Sequence, residues 1–335
     1  NALRYFKEIV TAAGHEAIVG HAMIGGCDFD RHVRHAEAFE KDPADPQGRP
    51  YAGKKSLQEL LQQEKWAYVT IQQVSHKAPI PESYQPGADR LIAIIRKYAP
   101  DAEIVVHQTW AYRDDHPVGG TKRFVSTDDM YRKVRTAYDA FGQAKGFRLI
   151  PSGDAMEAAR RDPAWGPFVP DPAFDPKTAV YPTLPAEKRA LHCGYSWRKD
   201  PKSGTYRLGA DKFHANAQGE YLLGCVWFEF FYGESVVGNT FVPKGVSAAD
   251  AKVLQRVAHR VVGEKQRPSL PITSPLTLSS GWVSSPDMYS RSADGPSSAA
   301  SPSSTGRNRR CTISCEPAEM KRQEVMSADS SSPAS

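Results

Sequence analysis

An aspartate and a histidine three residues apart, Asp211 and His214, stand just before a predicted helix. At this spacing the carboxylate can fold back and accept the imidazole N–H, which fixes the tautomer of the ring and stabilises its protonated form. This is the arrangement of a general base that activates a nucleophile. Capping of the following helix is an equal alternative for the same segment.

Backbone and amide donors follow two earlier apolar runs. Gly25 and Gly26 end the run 17–24, and adjacent glycines permit close approach of a ligand to a backbone N–H. Gln72 and Gln73 end the next run, where a side-chain amide can donate to a developing oxyanion. We therefore expect Gly26 and either Gln72 or Gln73 to form an oxyanion hole. A plain turn and ordinary polar strand ends are the alternatives.

Two residues in these loops are conceivable nucleophiles, Ser75 and Cys27. Neither stands on the strand-to-helix elbow that exposes a nucleophile, so we expect neither to serve as one. Histidines also lie near these loops without the short-spaced ligand pair of a metal site, and no metal is predicted. They are His32, His76, His107 and His116.

Aromatic residues near the same loops can form a platform for a sugar ring, because flat apolar faces stack on carbohydrate C–H surfaces. The candidates are Trp110, Tyr112 and Trp197. Ordinary core packing explains them at least as well. Together with Ser75 and His76 on the neighbouring loop, Trp110 and Tyr112 are the predicted substrate-binding residues.

A parallel sheet would bring these loops together. Apolar runs of four to eight residues alternate with helical patterns through the first 150 residues, which is typical of a sheet covered by helices on both faces. The fold class is α/β, doubly wound. Ligands bind beyond the carboxyl ends of such strands. The predicted strands are 17–24, 66–72, 103–109 and 147–150; the predicted helices are 3–13, 56–64, 90–98 and one that Thr127 caps and Gly146 closes.

The second half of the chain is less regular. A hairpin is predicted from 195–197 and 205–208, and helices from 217–232 and 247–262. Residues 268–335 hold 19 Ser and 8 Pro among 68 residues and show no apolar periodicity. Such a segment cannot bury enough surface to offset its ordering entropy. We therefore predict one folded domain, 1–267, followed by a disordered tail, 268–335.

Charge and cysteine content exclude several classes of protein. The net charge of +5 lies in residues 1–267 without a basic stripe, so no nucleic-acid partner is predicted. The five cysteines include no Cys-x-x-Cys pair, and no apolar run reaches the roughly 18 residues of a membrane span. No cofactor is predicted either, since both phosphate-loop glycine patterns are absent, which also disfavours a flavodoxin-like nucleotide binder.

The order of these motifs resembles that of the SGNH (GDSL-like) hydrolase superfamily, whose blocks run Ser, Gly, Asn, His along the chain. The likeness covers roughly residues 1–235 and is to a bacterial branch with a Gly-Asn-Ser-Phe motif. It is carried by NALRYF at 1–6, AAGHE at 12–16, IGGCD at 24–28, Arg31-His32, WAYVTIQ at 66–72, QTWA at 108–111 and the Asp211 to His214 segment.

The resemblance implies a three-layer αβα sandwich and serine ester hydrolysis. It places Asp211 and His214 in the catalytic Asp and His positions, and Gly26 with Gln72 or Gln73 in the oxyanion hole. The first strand of the superfamily and its terminal serine are missing, so we expect both to precede Asn1. The expected substrate is a small-molecule or carbohydrate ester, and a signal peptide before Asn1 would imply a secreted or periplasmic protein.

A second hypothesis is that the chain keeps the crevice without the chemistry. A fragment or variant of this kind would act as a glycan or small-molecule binding module. The sequence leaves the oligomeric state open.

Overall fold

The computed structural model of the protein describes residues 2–116, 125–266 and 309–315. Its centre is a five-stranded, all-parallel sheet. In chain order its strands are β1 (Glu16–His21), β2 (Tyr68–Ile71), β3 (Glu103–His107), β4 (Leu149–Ile150) and β7 (Arg309–Cys315). Strands β5 (His192–Lys199) and β6 (Tyr206–Ala215) form a separate hairpin. The spatial order in the sheet is β1-β7-β2-β3-β4.

Helices cover both faces of the sheet. One layer packs α2 (Phe29–Lys41), α3 (Leu57–Gln62), α4 (Gly87–Tyr98) and α5 (Thr127–Lys145) against it. The other contains α1 (Phe6–Ala12), α6 (Ser152–Arg161), α7 (Ala217–Tyr232) and α8 (Ala248–Gln266). Strand β3 shows why two cores form, because Ile104 and Val106 face the first layer and Val105 faces the second. The result is a three-layer α/β sandwich.

Local sequence signals account for most element boundaries. Ser56 and Glu59 form a capping box at the start of α3. Gly146 closes α5 with a left-handed φ of 65°, which favours glycine. The N-cap of α5 is Ser126, whose side chain accepts from the Asp129 N–H, and not Thr127 as the sequence predicts.

Two α-helices, α2 and α6, are not predicted from the sequence. The segment after Gly26 forms α2, which Asp28 caps. The segment after β4 is also helical, since α6 begins at Ser152. Helix α6 starts two residues after the end of β4, where the apolar run of the strand hides the helical period, and α2 starts eight residues after the end of β1. They follow the carboxyl ends of β1 and β4 and therefore border the predicted crevice.

Strand β7 lies inside the segment that the sequence analysis predicts to be disordered. It pairs in parallel with β1 from Glu16↔Arg309 to His21↔Ser314 and with β2 from Tyr68↔Thr312 to Ile71↔Cys315. The prediction of disorder is therefore wrong for residues 309–315, and the other residues of 268–335 lie outside the described part of the chain. Strand β7 therefore lies inside the sheet, between β1 and β2.

The predicted hairpin forms and is longer than expected. Strands β5 and β6 pair antiparallel from His192↔Ala215 to Lys199↔Tyr206. Asp211 and His214 consequently lie within β6 and not in a loop.

None of the helices in the described ranges combines the length and the hydropathy that a bilayer crossing demands.

Candidate functional site

Asp211 and His214 form the pair that their spacing predicts. The ring Nδ1 of His214 donates to Asp211 Oδ2 at 2.8 Å, and the backbone N–H of His214 donates to Oδ1 at 3.0 Å. Burial opposes ionisation of the carboxyl, but these hydrogen bonds outweigh it and hold the pKa of Asp211 below its usual value. The aspartate is therefore charged and fixes the Nδ1–H tautomer of His214. Asn216, and not this pair, caps α7.

The second ring nitrogen of His214, Nε2, is the acceptor in this tautomer. The side chain is 26% exposed, and no residue in the described ranges hydrogen-bonds to Nε2. An imidazole with one nitrogen held by a carboxylate and the other open can accept a proton from a nucleophile. The pair therefore has the hydrogen-bond arrangement that general-base chemistry requires.

The loop after β3 holds this segment of β6 in place. The indole N–H of Trp110 donates to the Phe213 carbonyl at 2.8 Å, and the backbone N–H of Arg113 donates to the Lys212 carbonyl at 2.9 Å. His192 of β5 donates from Nε2 to the Ala111 carbonyl at 3.0 Å. Burial lowers the pKa of His192 to about 4, so the ring is neutral and serves as a structural donor.

A buried ion network reinforces the same junction and was not predicted from the sequence. The Arg113 guanidinium, 2% exposed, makes paired bonds to Asp115 at 2.6 and 2.9 Å and to Glu187 at 2.7 and 2.9 Å. Lys212 adds a 2.9 Å ion pair to Asp115. Burial raises the pKa of the Asp115 carboxyl, but the hydrogen bonds and charges of Arg113 and Lys212 lower it by more than burial raises it. The pKa of Asp115 therefore lies below the usual value. No sequence signal links Arg113 to a glutamate 74 positions later.

The two candidate glutamines have different surroundings. Both ends of the Gln73 carboxamide are hydrogen-bonded within the protein, because its Nε2 donates to the Ser83 carbonyl at 2.7 Å and its Oε1 accepts from the Val74 N–H at 2.9 Å. Gln72 accepts from His107 Nδ1 through Oε1, and no described residue accepts from its Nε2. Of the two, only Gln72 has an amide N–H available for a ligand.

Gly26 lies in an exposed turn after β1. Its φ of 60° is left-handed, which favours glycine, and a Cβ there would meet nothing within 4 Å. The Cys27 N–H closes the turn onto the Ile24 carbonyl at 3.3 Å. The turn is joined to the loop after β2, because Lys77 forms an ion pair with Asp28.

The predicted substrate-binding residues are only partly brought together. Ser75 Oγ and Tyr112 OH lie 3.2 Å apart, and the Tyr112 ring contacts Phe213 at 5.7 Å between centroids. Trp110 is half-buried beside the same phenylalanine, and His76 is exposed. The loop after β3 therefore contacts β6 next to His214, and Ser75 of the loop after β2 contacts the loop after β3 through Tyr112.

Trp197 does not join this group. Its indole N–H donates to the Thr183 carbonyl at 2.9 Å, and its ring packs edge-on against Tyr181 at 5.9 Å. Tyr181 in turn stacks on Tyr206 at 3.7 Å. Trp197 belongs to this second aromatic group, at the far part of the hairpin.

The remaining candidates from the sequence are structural. Cys27 is buried, and burial raises the pKa of its thiol to about 12, so it is not a thiolate. His32 is buried and bonded to the Tyr51 hydroxyl at 2.8 Å, and desolvation lowers its pKa to about 4. Across the described residues, no three His, Cys, Asp or Glu side chains gather closely enough to hold a metal ion.

A further serine–histidine contact lies at the strand ends. Ser152 Oγ is 2.9 Å from His107 Nε2, and both residues are buried, with exposures of 0% and 1%. Because no substrate can reach Ser152 in this position, the contact is not that of an exposed nucleophile.

Comparisons with known proteins agree with this architecture. Residues 2–164 match the family described as Domain of unknown function (DUF4886). The chain is similar to the crystal structure of a DUF4886 family protein from Bacteroides uniformis, with 23% identity over 79% of this chain and 90% of that one and a TM-score of 0.60. This likeness shows the fold.

A more distant likeness is to a possible lipase from Chitinophaga pinensis. The identity is 10% over 65% of this chain and 97% of that one, and the TM-score is 0.28. At this distance the likeness does not bear on the function of the chain. No curated protein matches the sequence.

Proposed function

We propose that the protein is a serine ester hydrolase of the SGNH type, with His214 as general base, Asp211 as its orienting carboxylate and Gln72 as an oxyanion donor. The observation that carries the proposal is the Asp211–His214 pair, bonded at 2.8 Å with Nε2 of the imidazole open. The pair lies beside the loop that follows β3 of the parallel sheet, and α/β proteins bind their ligands at such strand ends.

The proposed reaction uses each group for one task. His214 Nε2 takes the proton of a serine hydroxyl as the oxygen attacks the ester carbonyl carbon, and the carbonyl electrons move to an oxyanion that Gln72 Nε2 and the Gly26 N–H stabilise. The protonated imidazole, held by Asp211, then passes its proton to the leaving alcohol. Water then attacks the acyl carbonyl carbon while His214 takes its proton. The second oxyanion collapses, the carbon–oxygen bond to the serine breaks, the acid is released and His214 returns the proton to the serine oxygen.

The attacking serine in this proposal lies outside the described residues, since no described serine hydrogen-bonds to His214. A fluorophosphonate probe followed by peptide mass spectrometry locates it directly. The coding sequence upstream of Asn1 gives an independent check: an apolar strand ending in Gly-Asn-Ser favours the hydrolase, and a start codon at that point favours a binding module.

Acylated carbohydrate is the proposed substrate class. The half-buried Trp110 and the Tyr112 ring flank the β6 segment that carries His214, and aromatic faces suit the C–H surface of a sugar ring. Comparison of an acetylated sugar with p-nitrophenyl acetate as substrates tests this part. Equal kcat/KM for both esters would count against a sugar site.

A glycan-binding module is the second candidate. It is favoured by the stacked pair Tyr181 and Tyr206, which remain 47% and 39% exposed on the hairpin. Calorimetric titration with oligosaccharides, without any ester turnover, would support it. Binding abolished by Tyr206→Ala and unaffected by His214→Ala would place the ligand at the far part of the hairpin and not beside His214.

The decisive experiment is the hydrolysis of p-nitrophenyl acetate by the protein expressed from its complete coding sequence, including any codons before Asn1, and by its His214→Ala variant. We expect kcat to fall by about 10³ or more, because base and nucleophile act as a unit. His259→Ala is the matched control, since His259 also contacts a carboxylate through Nδ1, Glu229 at 3.1 Å, but lies on α8. Equal turnover by the His214 variant and the parent protein would end the assignment, as would a parent protein without turnover.

A further inference from the structure

We infer that His107 and Ser152 are positioning residues, which hold the Gln72 carboxamide with its oxygen inward and its NH₂ group toward the crevice. The inference rests on the proposed hydrolase function and extends it to residues that touch neither substrate nor base. Gln72 follows β2, His107 ends β3 and Ser152 follows β4, so the three side chains run across the carboxyl ends of three adjacent strands.

The hydrogen bonds among these residues have one consistent direction. Gln72 Oε1 contacts His107 Nδ1, and an amide oxygen only accepts, so Nδ1 carries the ring proton. His107 Nε2 is then the acceptor, and it receives the Ser152 hydroxyl proton at 2.9 Å. With its oxygen bonded to His107, the Gln72 amide presents its nitrogen on the other side.

Burial makes this arrangement rigid. His107 and Ser152 are buried, and the fully buried indole of Trp227 packs edge-on against the His107 ring at 5.0 Å. Because the ring is buried, water competes little for the His107 Nδ1 proton, and the contact with Trp227 restricts rotation of the ring. A donor held in this way needs no reorganisation when negative charge develops on the substrate.

The neighbouring Gln73 supplies the contrast. Its amide is turned inward and bonded at both ends, to Ser83 and to Val74. A glutamine at this edge of the sheet does not necessarily present a free amide N–H to a ligand. Gln72 differs because a histidine holds only its oxygen.

The kinetic test compares His107 variants with a Gln72 variant. Loss of one oxyanion donor lowers kcat by about 10²- to 10³-fold, which we expect for Gln72→Leu with little change in KM. His107→Leu should lose most of the same factor, since the carboxamide is then free to rotate. His107→Asn keeps an N–H near the position of Nδ1 and should restore kcat to within about tenfold of the parent value.

Non-additivity separates positioning from a general structural role. If His107 acts through Gln72, then His107→Leu in a Gln72→Leu background should change kcat by less than about twofold. A further tenfold loss in that background would overturn the proposal. Ser152→Ala, which leaves the bond between His107 and Gln72 in place, should lower kcat by less than His107→Leu; an equal or larger loss would also overturn it.

The tautomer of His107 is a readout that needs no turnover. Nitrogen-15 NMR of the histidine-labelled full chain should show a neutral ring protonated at Nδ1, and this signal should be lost in His107→Asn. A ring protonated at Nε2 would overturn the proposal whatever the activity. An Nδ1–H ring in a protein without ester turnover would instead refute the hydrolase function and, with it, the catalytic purpose of the arrangement.

Discussion

Replacement of Arg113 by methionine tests how the β6 segment is held. The guanidinium is 2% exposed and makes four short charge-assisted bonds, two to Asp115 and two to Glu187, while the Phe168 ring lies 4.5 Å from it. Methionine has a similar apolar stem and no charge. Glu187, only 13% exposed, would lose its partner in this variant.

The expected loss of stability follows from this geometry. Removal of one member of a buried ion pair costs about 3–5 kcal/mol, because the remaining charge stays desolvated. In a domain of this size each kcal/mol lowers Tm by about 2–4 °C, so we expect a drop of about 10 °C. The double variant Arg113→Met with Glu187→Gln should recover part of the loss, since it no longer leaves a charge unpaired.

The matched control is Arg148→Met. Arg148 makes the same paired contact with Glu103, at 2.6 and 2.9 Å, but the two side chains are 47% and 42% exposed. An exposed pair contributes about 1 kcal/mol or less. Thermal unfolding by circular dichroism and hydrogen exchange of the β5–β6 amides measure both variants. An equal Tm for the two variants, or unchanged exchange in the hairpin of Arg113→Met, would refute the reasoning.

The remaining predictions concern the base, pH, a thiol and the sheet. Asp211→Asn should lower ester kcat by about 10⁴-fold because an amide favours the wrong tautomer of the imidazole, and Asp200→Asn in the same hairpin should leave it unchanged. The pKa of Asp115 is lower in the folded protein than in the unfolded chain, so ionised Asp115 stabilises the fold above its unfolded pKa. This stability is lost as the pH falls through the folded pKa. Urea midpoints should therefore drop below about pH 4, and less steeply in Asp115→Asn. Cys27 should resist iodoacetamide at pH 8 in the native protein and react after unfolding, as peptide mass spectrometry would show; rapid native labelling would contradict its burial. Deletion of 308–335 removes β7 and opens β1 and β2 to pairing, so light scattering should detect association beyond that of the parent protein, and an unchanged mass would contradict the sheet order.

Much of the fold was predictable because its signals are local. The apolar runs of β2, β3 and β4 and the helices between them follow from periodicity and capping residues, and the structure confirms them with shifts of a few residues. The helices α2 and α6 were not predicted, and only α6 starts next to a strand end. The insertion of β7 between β1 and β2 joins residues almost 300 positions apart in sequence, and no local pattern indicates such pairing.

The candidate site divides in the same way. Contact between Asp211 and His214 needs only three residues of chain, so the sequence by itself predicted the pair. The choice between Gln72 and Gln73 depended on tertiary structure, because consecutive residues at a strand end point to opposite sides and only the neighbours reveal which side is the crevice.

What the sequence determined, then, is the set of chemical groups and the alternation of elements that carries them. Only the tertiary structure decided which groups are free to act. His107 and Arg113 look like ordinary polar residues in the sequence, yet packing buries both and directs one toward Gln72 and the other toward Glu187. The physical reason is that burial makes each of these polar groups find a partner, and the partner is chosen by which elements pack together and not by distance along the chain.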